Sequence, residues 1–223
     1  MHVTDNLLFR LIFSILWCIF ILNLLWTRYS ARKPKGAPSS DQTVHFDRHR
    51  VALALIAPFW FGGIALYLLF PTWIMFLSIP LPDSFRLIMV GVAVLSIPLL
   101  FWALRTLGKN WVHALDQSGF LRRKEATLVT NGPYRYVRNP IYLWSFVFLT
   151  ALSLVAANWL LLVPTFLLIT LLYAQVGKEE RMLIDKFGDE YREYMKRTPR
   201  FIPKFMHVTL DTQQRNGTSG ASP

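Results

Sequence analysis

The chain has 223 residues, of which 53% are hydrophobic, and a net charge of +11. Several uncharged runs approach the roughly 20 residues that cross a bilayer, which favours an integral membrane protein over a soluble domain. The positive charges fall in the segments between these runs, a pattern that indicates membrane topology rather than nucleic-acid binding. Cys18 is the only cysteine, so a disulfide framework and a cysteine-based zinc site are excluded, and no metal site is predicted.

The apolar runs predict an all-α integral membrane fold with five transmembrane helices. The N-terminus lacks a basic segment and a small-residue cleavage site, so the first run is predicted to be a retained helix rather than a signal peptide. A tight turn at Ala157–Asn158 joins the last two spans into a helical hairpin over residues 141–177. The predicted spans are Leu7–Trp26, Val51–Phe70, Phe85–Leu104, Ile141–Ala157 and Asn158–Gly177.

These spans divide the chain into three regions. Residues 1–104 hold spans one to three and a basic linker, 27–50. Residues 105–203 form the predicted catalytic region, which begins with a long basic connector, and residues 204–223 form a polar tail that is predicted to be disordered. The short, proline-punctuated segment Pro71–Pro82 is predicted to lie at the membrane interface.

Lysine and arginine concentrate in the segments after spans one, three and five. The positive-inside rule therefore predicts an N-terminus outside the membrane and a cytoplasmic C-terminus. After span five, Lys178–Arg197 carries apolar residues at helical spacing. It is predicted to be an amphipathic helix on the cytoplasmic membrane surface, bent or broken at Gly188 because glycine is unfavourable inside a helix.

The polar stretch Leu128–Tyr142, which we call the elbow, lies between two apolar spans. Gly132–Pro133 marks a turn. Asn139–Pro140 ends any helix that approaches from the N-terminal side, because the residue before a proline disfavours the helical conformation. Pro140 also suits the first turn of the helix that follows. Tyrosines and arginines alternate between these two points. By composition alone the elbow is also typical of a juxtamembrane loop with an aromatic belt.

Glu179 and Glu180 directly follow the last predicted span, and Gln175 shares a helix face with Glu179. The hairpin should bring these residues close to the elbow on the cytoplasmic side. A buried carboxylate that faces aromatic rings and amides suits a cationic, amine-bearing ligand. The simpler alternative is that Glu179 and Glu180 are solvent-exposed charges at the end of the last transmembrane span.

His113, in the basic connector, is a lone histidine of the kind that more often lies at a surface or packs in a core. Its ordinary pKa near 6.5 would nevertheless let it accept a proton from an acceptor. Neither G-x-G-x-x-G nor G-x-x-x-x-G-K-[ST] occurs, so no soluble nucleotide-binding motif is present.

Four motifs in order resemble the isoprenylcysteine carboxyl methyltransferase family, which is similar in turn to membrane phospholipid methyltransferases. They are GPYRYVRNPIY at 132–142, the pair Glu179–Glu180, FGDEYREY at 187–194 and PRFIP at 199–203. The resemblance covers Gly108–Pro203, and spans one to three carry no specific match. It implies a membrane enzyme that transfers a methyl group from S-adenosylmethionine (SAM) to a lipophilic or amphiphilic acceptor at the cytosolic face.

The resemblance also implies the residues of the SAM site. Matched position by position, they are Ala126, Thr127, Leu128, Val129, Tyr134, Asn139, Pro140, Ile141, Tyr142 and Glu179. We add Arg138, because an arginine is a suitable donor for the carboxylate of SAM. The family's usual histidine before the proline is Asn139 here, and its substrate-pairing arginine is Gln175. Gln175 and His113 are therefore the predicted catalytic residues, with His113 as the proton acceptor if the substrate is an amine or a thiol.

Three alternatives remain open from the sequence. Gln175 in place of arginine favours a phospholipid or small-amine N-methyltransferase on the same scaffold. Gln175 and Asn139 together are compatible with a non-catalytic membrane interaction protein. A membrane reductase that shares a similar C-terminal motif is the third alternative, and the oligomeric state is left open.

Overall fold

The computed structural model describes residues 3–30, 48–108 and 127–202. These residues are helical throughout, apart from turns and one isolated bridge between Ser78 and Asn158, which confirms the all-α prediction. The α-helices, renumbered in chain order, are α1 (Val3–Ser30), α2 (Arg48–Leu69), α3 (Asp83–Leu107), α4 (Pro140–Ala156), α5 (Trp159–Phe187) and α6 (Asp189–Arg197). Two 3-10 helices, η1 (Pro71–Leu77) and η2 (Gly132–Arg135), complete the described elements.

Three described helices, α1, α3 and α5, are long and apolar enough to cross a membrane, with mean hydropathies of 2.3, 2.5 and 2.0. The apolar part of α2 meets this criterion only together with η1, and the two are bent by 113° at Phe70. Helix α4 is apolar but has 17 residues. Within the described residues, three helices and at most a fourth therefore qualify, and five crossings are not confirmed. Several apolar helices in one fold nevertheless indicate an integral membrane protein.

The helices pack around α3 and α4, which form the main contact of the bundle, while α2 packs on α5. Small side chains permit the close approach, since Ala93, Ala103 and Ala151 are almost completely buried. Larger side chains fill the space beside them. Phe20 of α1 stacks on Phe148 of α4 with ring centroids 4.5 Å apart.

A buried chain of polar groups ties α2, α4 and α5 together. The Trp60 indole N–H donates to the Thr165 hydroxyl at 2.8 Å, and that hydroxyl is 2.8 Å from the Ser153 hydroxyl. Ser153 also lies 2.9 Å from the Leu149 carbonyl oxygen one turn earlier. Satisfied hydrogen bonds of this kind stabilise helix association where water is absent.

The predicted hairpin turn between α4 and α5 is confirmed. Ala157 has a left-handed backbone (φ 49°), and the Asn158 side chain accepts from the Leu160 N–H at 2.9 Å to cap α5. The Asn158 amide also donates to the Ile74 carbonyl at 3.1 Å. The η1 segment is therefore held across the tip of the hairpin, at the opposite end of α4 from the elbow. Its position at a membrane interface stays a prediction.

The end of α5 differs from the predicted boundary. The helix continues without a break through Gly177, the predicted end of span five, as far as Phe187. Gly188 then adopts φ +57°, which favours glycine, and α6 begins at Asp189. The break at Gly188 is thus confirmed, but the first half of the predicted amphipathic segment is an extension of α5. Glu179 and Glu180 consequently lie on a rigid helix rather than at a helix start.

Candidate active site

Gly132 sets the conformation of the elbow. Its backbone has φ +57°, and a Cβ atom at this position would lie 3.1 Å from the Thr106 side chain at the end of α3. Glycine is favoured here for both reasons, because a side chain would strain the backbone and crowd α3. The turn continues as η2, and Asn139 and Pro140 then lead into α4.

Two tyrosines hold the elbow between α3 and α6. The Tyr134 hydroxyl lies 3.5 Å from the Ala103 carbonyl oxygen, and the Tyr194 hydroxyl donates to the Tyr134 carbonyl at 2.5 Å. Burial raises the pKa of both phenols, so both stay protonated and able to donate at physiological pH. The predicted proximity of the elbow to the C-terminal segment is confirmed by these contacts.

The structure also brings Glu179 to the elbow, as the hairpin predicts. The Tyr142 hydroxyl donates to Glu179 Oε1 at 2.6 Å. Gln175, one turn earlier on α5, interacts with the same carboxylate through its side chain. Among the described residues, no lysine or arginine forms a salt bridge with Glu179. A carboxylate with neutral partners alone is a suitable counterion for a bound cation.

Glu180 faces a different set of partners. Its side chain is 3% exposed, and its Oε1 accepts from Arg138 Nε at 3.1 Å and from the Asn139 amide at 3.0 Å. Arg200 forms a second salt bridge with Oε2. Glu180 was not among the site residues predicted from the sequence. The signal available there was the 100° rotation between adjacent helix positions, which must turn the two glutamates toward different neighbours.

Arg138 is engaged within the protein at all three guanidinium nitrogens. Nε and Nη2 each lie 3.1 Å from Glu180 Oε1, while Nη1 donates to the carbonyls of Met195 and Thr198 at 3.2 and 2.6 Å. The Arg138 backbone N–H also donates to the Pro199 carbonyl at 2.9 Å. The role of Arg138 as a ligand of SAM stays a prediction, and these contacts give the side chain a structural role that the sequence did not reveal.

A polar cavity of about 570 Å³ lies beside the elbow, at the end of α3. Thr127, Leu128 and Val129, all predicted SAM-site positions, line it. Tyr142 and Glu179 are not among its lining residues, so a cavity that reaches the Glu179 carboxylate stays a prediction. The remaining lining residues are Thr130 and Asn131 of the elbow and Thr106, Leu107 and Gly108 at the end of α3.

An apolar groove of about 560 Å³ lies between α1 and α3. It is lined by Leu22, Asn23, Leu25, Trp26, Tyr29 and Phe101. Phe101 lies five residues before Thr106, so the groove and the polar cavity both adjoin the last turns of α3.

Four predicted site positions remain. Two of them pack in or against the core, and the other two lie outside the residues that the structure describes. Pro140 is buried at the first turn of α4, and the half-buried Ile141 packs against the core. His113 and Ala126 lie outside the described residues. The structure therefore brings together Tyr134, Arg138, Asn139, Tyr142, Gln175 and Glu179 at one end of the bundle.

Comparison with known proteins places this region in a family. Residues 88–185, from within α3 to the last turn of α5, match the model described as the isoprenylcysteine carboxyl methyltransferase (ICMT) family. The match covers less than half of the chain, which is similar to this family over these residues. The matched residues include the elbow and both glutamates, and the ICMT resemblance of these two motifs is confirmed.

Curated relatives of the chain carry several names. It is 33% identical over 115 residues to the nickel-cobalt-cadmium resistance protein NccN of Alcaligenes xylosoxydans, covering 52% of each chain. It is 31% identical over 97 residues to the protein-S-isoprenylcysteine O-methyltransferase of Schizosaccharomyces pombe, covering 43% of this chain and 40% of the relative. It is 46% identical over 72 residues to methanethiol S-methyltransferase 1 of Bradyrhizobium diazoefficiens, covering 31% of this chain and 24% of the relative. The chain thus spans about half or less of the length of these relatives.

Proposed function

We propose that the protein is an integral-membrane, SAM-dependent methyltransferase of the ICMT type, with a lipophilic or amphiphilic acceptor. One observation carries this proposal. Within the region matched by the family, the Glu179 carboxylate is fixed by Tyr142 at 2.6 Å and forms no salt bridge with a described residue. An oriented carboxylate that lacks a cation partner is the group expected to bind a cationic cofactor.

The residues present fit SAM, which carries an ammonium, a sulfonium and a carboxylate. Glu179 supplies the negative charge for a cationic group, and the Tyr142 ring lies beside it. The polar cavity at Thr127–Val129 is about 570 Å³, within the roughly 300–1,000 Å³ typical of ligand pockets. We assign the cofactor to these residues, together with the neighbouring backbone of the elbow.

When bound, SAM supplies an activated methyl group to the acceptor. The protein's own residues bind, orient and exclude water. Tyr142 holds the Glu179 carboxylate in one orientation, and Tyr134 and Tyr194 fix the elbow against α3 and α6. Fixed positions of this kind contribute to rate chiefly by removing the entropic cost of alignment, and burial excludes water that would compete for the methyl group.

The proposed topology retains five crossings, with the site at the cytosolic face. Helix α4 has 17 residues and is about 26 Å long, close to the roughly 30 Å thickness of the hydrocarbon core. In this arrangement the elbow and α6 lie in the cytoplasm and the hairpin tip with η1 lies on the opposite side. A lipophilic acceptor then reaches the site from the bilayer.

The acceptor chemistry decides whether a base is required. A carboxylate acceptor is already a nucleophile, so positioning alone suffices. An amine or thiol acceptor has to lose a proton, and His113 is our candidate for accepting it.

Gln175 supports a second candidate function, N-methylation of a phospholipid or a small amine. This neutral amide lies beside Glu179, and the nearby cations Arg138 and Arg200 are both paired with Glu180. Neither arginine is therefore available to hold an acceptor carboxylate, whereas an amine acceptor needs no such cation.

Transfer of labelled methyl groups tests both candidates. Purified protein would be incubated with methyl-labelled SAM and one of three acceptors: a prenylated cysteine, phosphatidylethanolamine or a long-chain thiol. Label in the prenylcysteine supports the ICMT-type reaction, and label in phosphatidylethanolamine supports the second candidate. No transfer to these acceptors or to a whole membrane extract, from a protein shown to be folded, would refute the proposed enzyme.

A further inference from the structure

Two adjacent carboxylates on α5 differ in the charge of their partners. Glu179 meets the Tyr142 hydroxyl and the Gln175 side chain, both neutral. Glu180 meets the guanidinium groups of Arg138 and Arg200 and the Asn139 amide. Arg138 and Arg200 are thus both paired with the same one of the two carboxylates.

The arrangement around Glu180 is strongly constrained. The Glu180 and Arg138 side chains are 3% and 9% exposed, so each is a buried charge that depends on the other for compensation. Arg200 is more accessible, at 36% exposed. If Glu180 were neutral, both arginines would lose their carboxylate partner while the Glu179 carboxylate remained one residue away on the same helix.

We infer that Glu180 is a positioning residue that sequesters Arg138 and Arg200 and thereby leaves Glu179 available to the cationic cofactor. This inference rests on the proposed SAM-binding function of Glu179. It assigns to Glu180 a role through other residues, without contact with the cofactor. Adjacent glutamates then have separate tasks: one binds the ligand cation, and the other retains the protein's own cations.

The backbone around these arginines explains why they lie so close to the site. The Arg138 N–H donates to the Pro199 carbonyl at 2.9 Å, and the Asn139 N–H donates to the Arg200 carbonyl at 3.2 Å. The elbow and the segment after α6 are therefore joined side by side, and the join brings both arginines to α5. A carboxylate at position 180 neutralises the charge that this join concentrates.

Removing the charge of Glu180 and then one of the released cations tests this inference. The Glu180→Gln variant keeps the shape of the side chain, and the released arginines should compete for Glu179. We expect SAM, titrated by calorimetry into protein in detergent, to bind roughly ten- to a hundredfold more weakly, the range of one charge-assisted hydrogen bond. Adding Arg200→Gln should recover a clear part of that affinity, because it removes a competitor. Glu193→Gln, which alters an exposed pair with Lys196, is the matched control.

A purely structural role for Glu180 gives a different pattern. In that case Glu180→Gln would lower thermal stability without changing the affinity of the folded fraction for SAM, and the double variant would bind SAM no better than the single one. An unchanged affinity in Glu180→Gln would overturn the inference, and so would a double variant with no gain in affinity over Glu180→Gln. If Glu180→Gln does not fold, the double variant Glu180→Gln with Arg200→Gln is compared with the wild type. This variant loses one negative and one positive charge, and its affinity for SAM should be within about tenfold of the wild-type affinity. A loss as large as that of Glu179→Gln would overturn the inference.

A crystal structure of Glu180→Gln without ligand separates this inference from the proposed function. We expect Arg138 or Arg200 to lie within salt-bridge distance of Glu179 in that structure. Both arginines remaining away from Glu179 would refute the sequestering role, whatever the protein binds. Conversely, a folded wild type that does not bind SAM refutes the proposed function, even if an arginine moves to Glu179 in the variant.

Discussion

The hydrogen bond from Tyr142 to Glu179 is the contact whose removal is easiest to interpret. Tyr142→Phe deletes a hydroxyl that donates to Oε1 at 2.6 Å and keeps the ring, which lies 6.0 Å from the Phe146 ring. Hydrogen bonds to charged groups contribute about 1.5–3 kcal/mol, and roughly 1.4 kcal/mol corresponds to tenfold in affinity. Since the hydroxyl fixes the orientation of the carboxylate, we expect SAM to bind roughly ten- to a hundredfold more weakly.

The assay is calorimetric titration of SAM into wild type, Tyr142→Phe and a matched control, each in the same detergent. Tyr136→Phe is the control, because Tyr136 belongs to the same elbow but is 53% exposed. Its affinity should equal that of the wild type. Wild-type affinity in a folded Tyr142→Phe protein would refute the claim that Tyr142 orients the carboxylate for the ligand.

Two further predictions concern stability, measured by thermal unfolding in detergent. Gly132→Ala should destabilise the protein by about 1–2 kcal/mol, because the left-handed backbone disfavours a side chain. Gly177→Ala, in α5 with open space around the new Cβ atom, should instead be neutral or stabilise by up to about 1 kcal/mol. Equal shifts in the two glycine variants would contradict the strain argument. Trp60→Phe should cost at least about 1 kcal/mol through the lost hydrogen bond to Thr165, while Trp73→Phe, 68% exposed, should stay within about 0.5 kcal/mol. A Trp60 variant as stable as the Trp73 variant would contradict the role of the buried polar chain.

Local signals in the sequence predicted the parts of the fold that depend on a few neighbouring residues. The turn at Ala157–Asn158 is set by a left-handed residue and a capping asparagine, and the break at Gly188 by a glycine with positive φ. Since the hairpin is tight, it also determines which segments meet at its open end. The proximity of Glu179 to the elbow followed from that topology and is confirmed by the hydrogen bond from Tyr142.

The features that the sequence did not reveal depend on contacts between distant segments. The pairing of Glu180 with Arg138 and Arg200 joins three parts of the chain. The rotation between adjacent helix positions turns the two glutamates toward different neighbours, but it does not identify those neighbours. Arg86 is a similar case. It lies in the first turn of α3, is 2% exposed and donates twice to the Val155 carbonyl at the end of α4.

The five membrane crossings predicted from hydropathy are not confirmed, for a related reason. Hydropathy suggested five comparable runs, but the structure bends the chain by 113° between α2 and η1 and limits α4 to 17 residues. The bend and the length of α4 depend on turn geometry and on packing at the hairpin tip, and the hydropathy of a segment contains no information on either.

Titration of SAM into the wild type and the Glu179→Gln variant is the most direct test of the site. The variant removes the charge and keeps the shape of the side chain, and Glu193→Gln serves again as the exposed control. We predict saturable binding to the wild type and to the control, and no measurable binding to Glu179→Gln. Equal affinity of SAM for the wild type and a folded Glu179→Gln protein would contradict the assignment of this carboxylate to the cofactor.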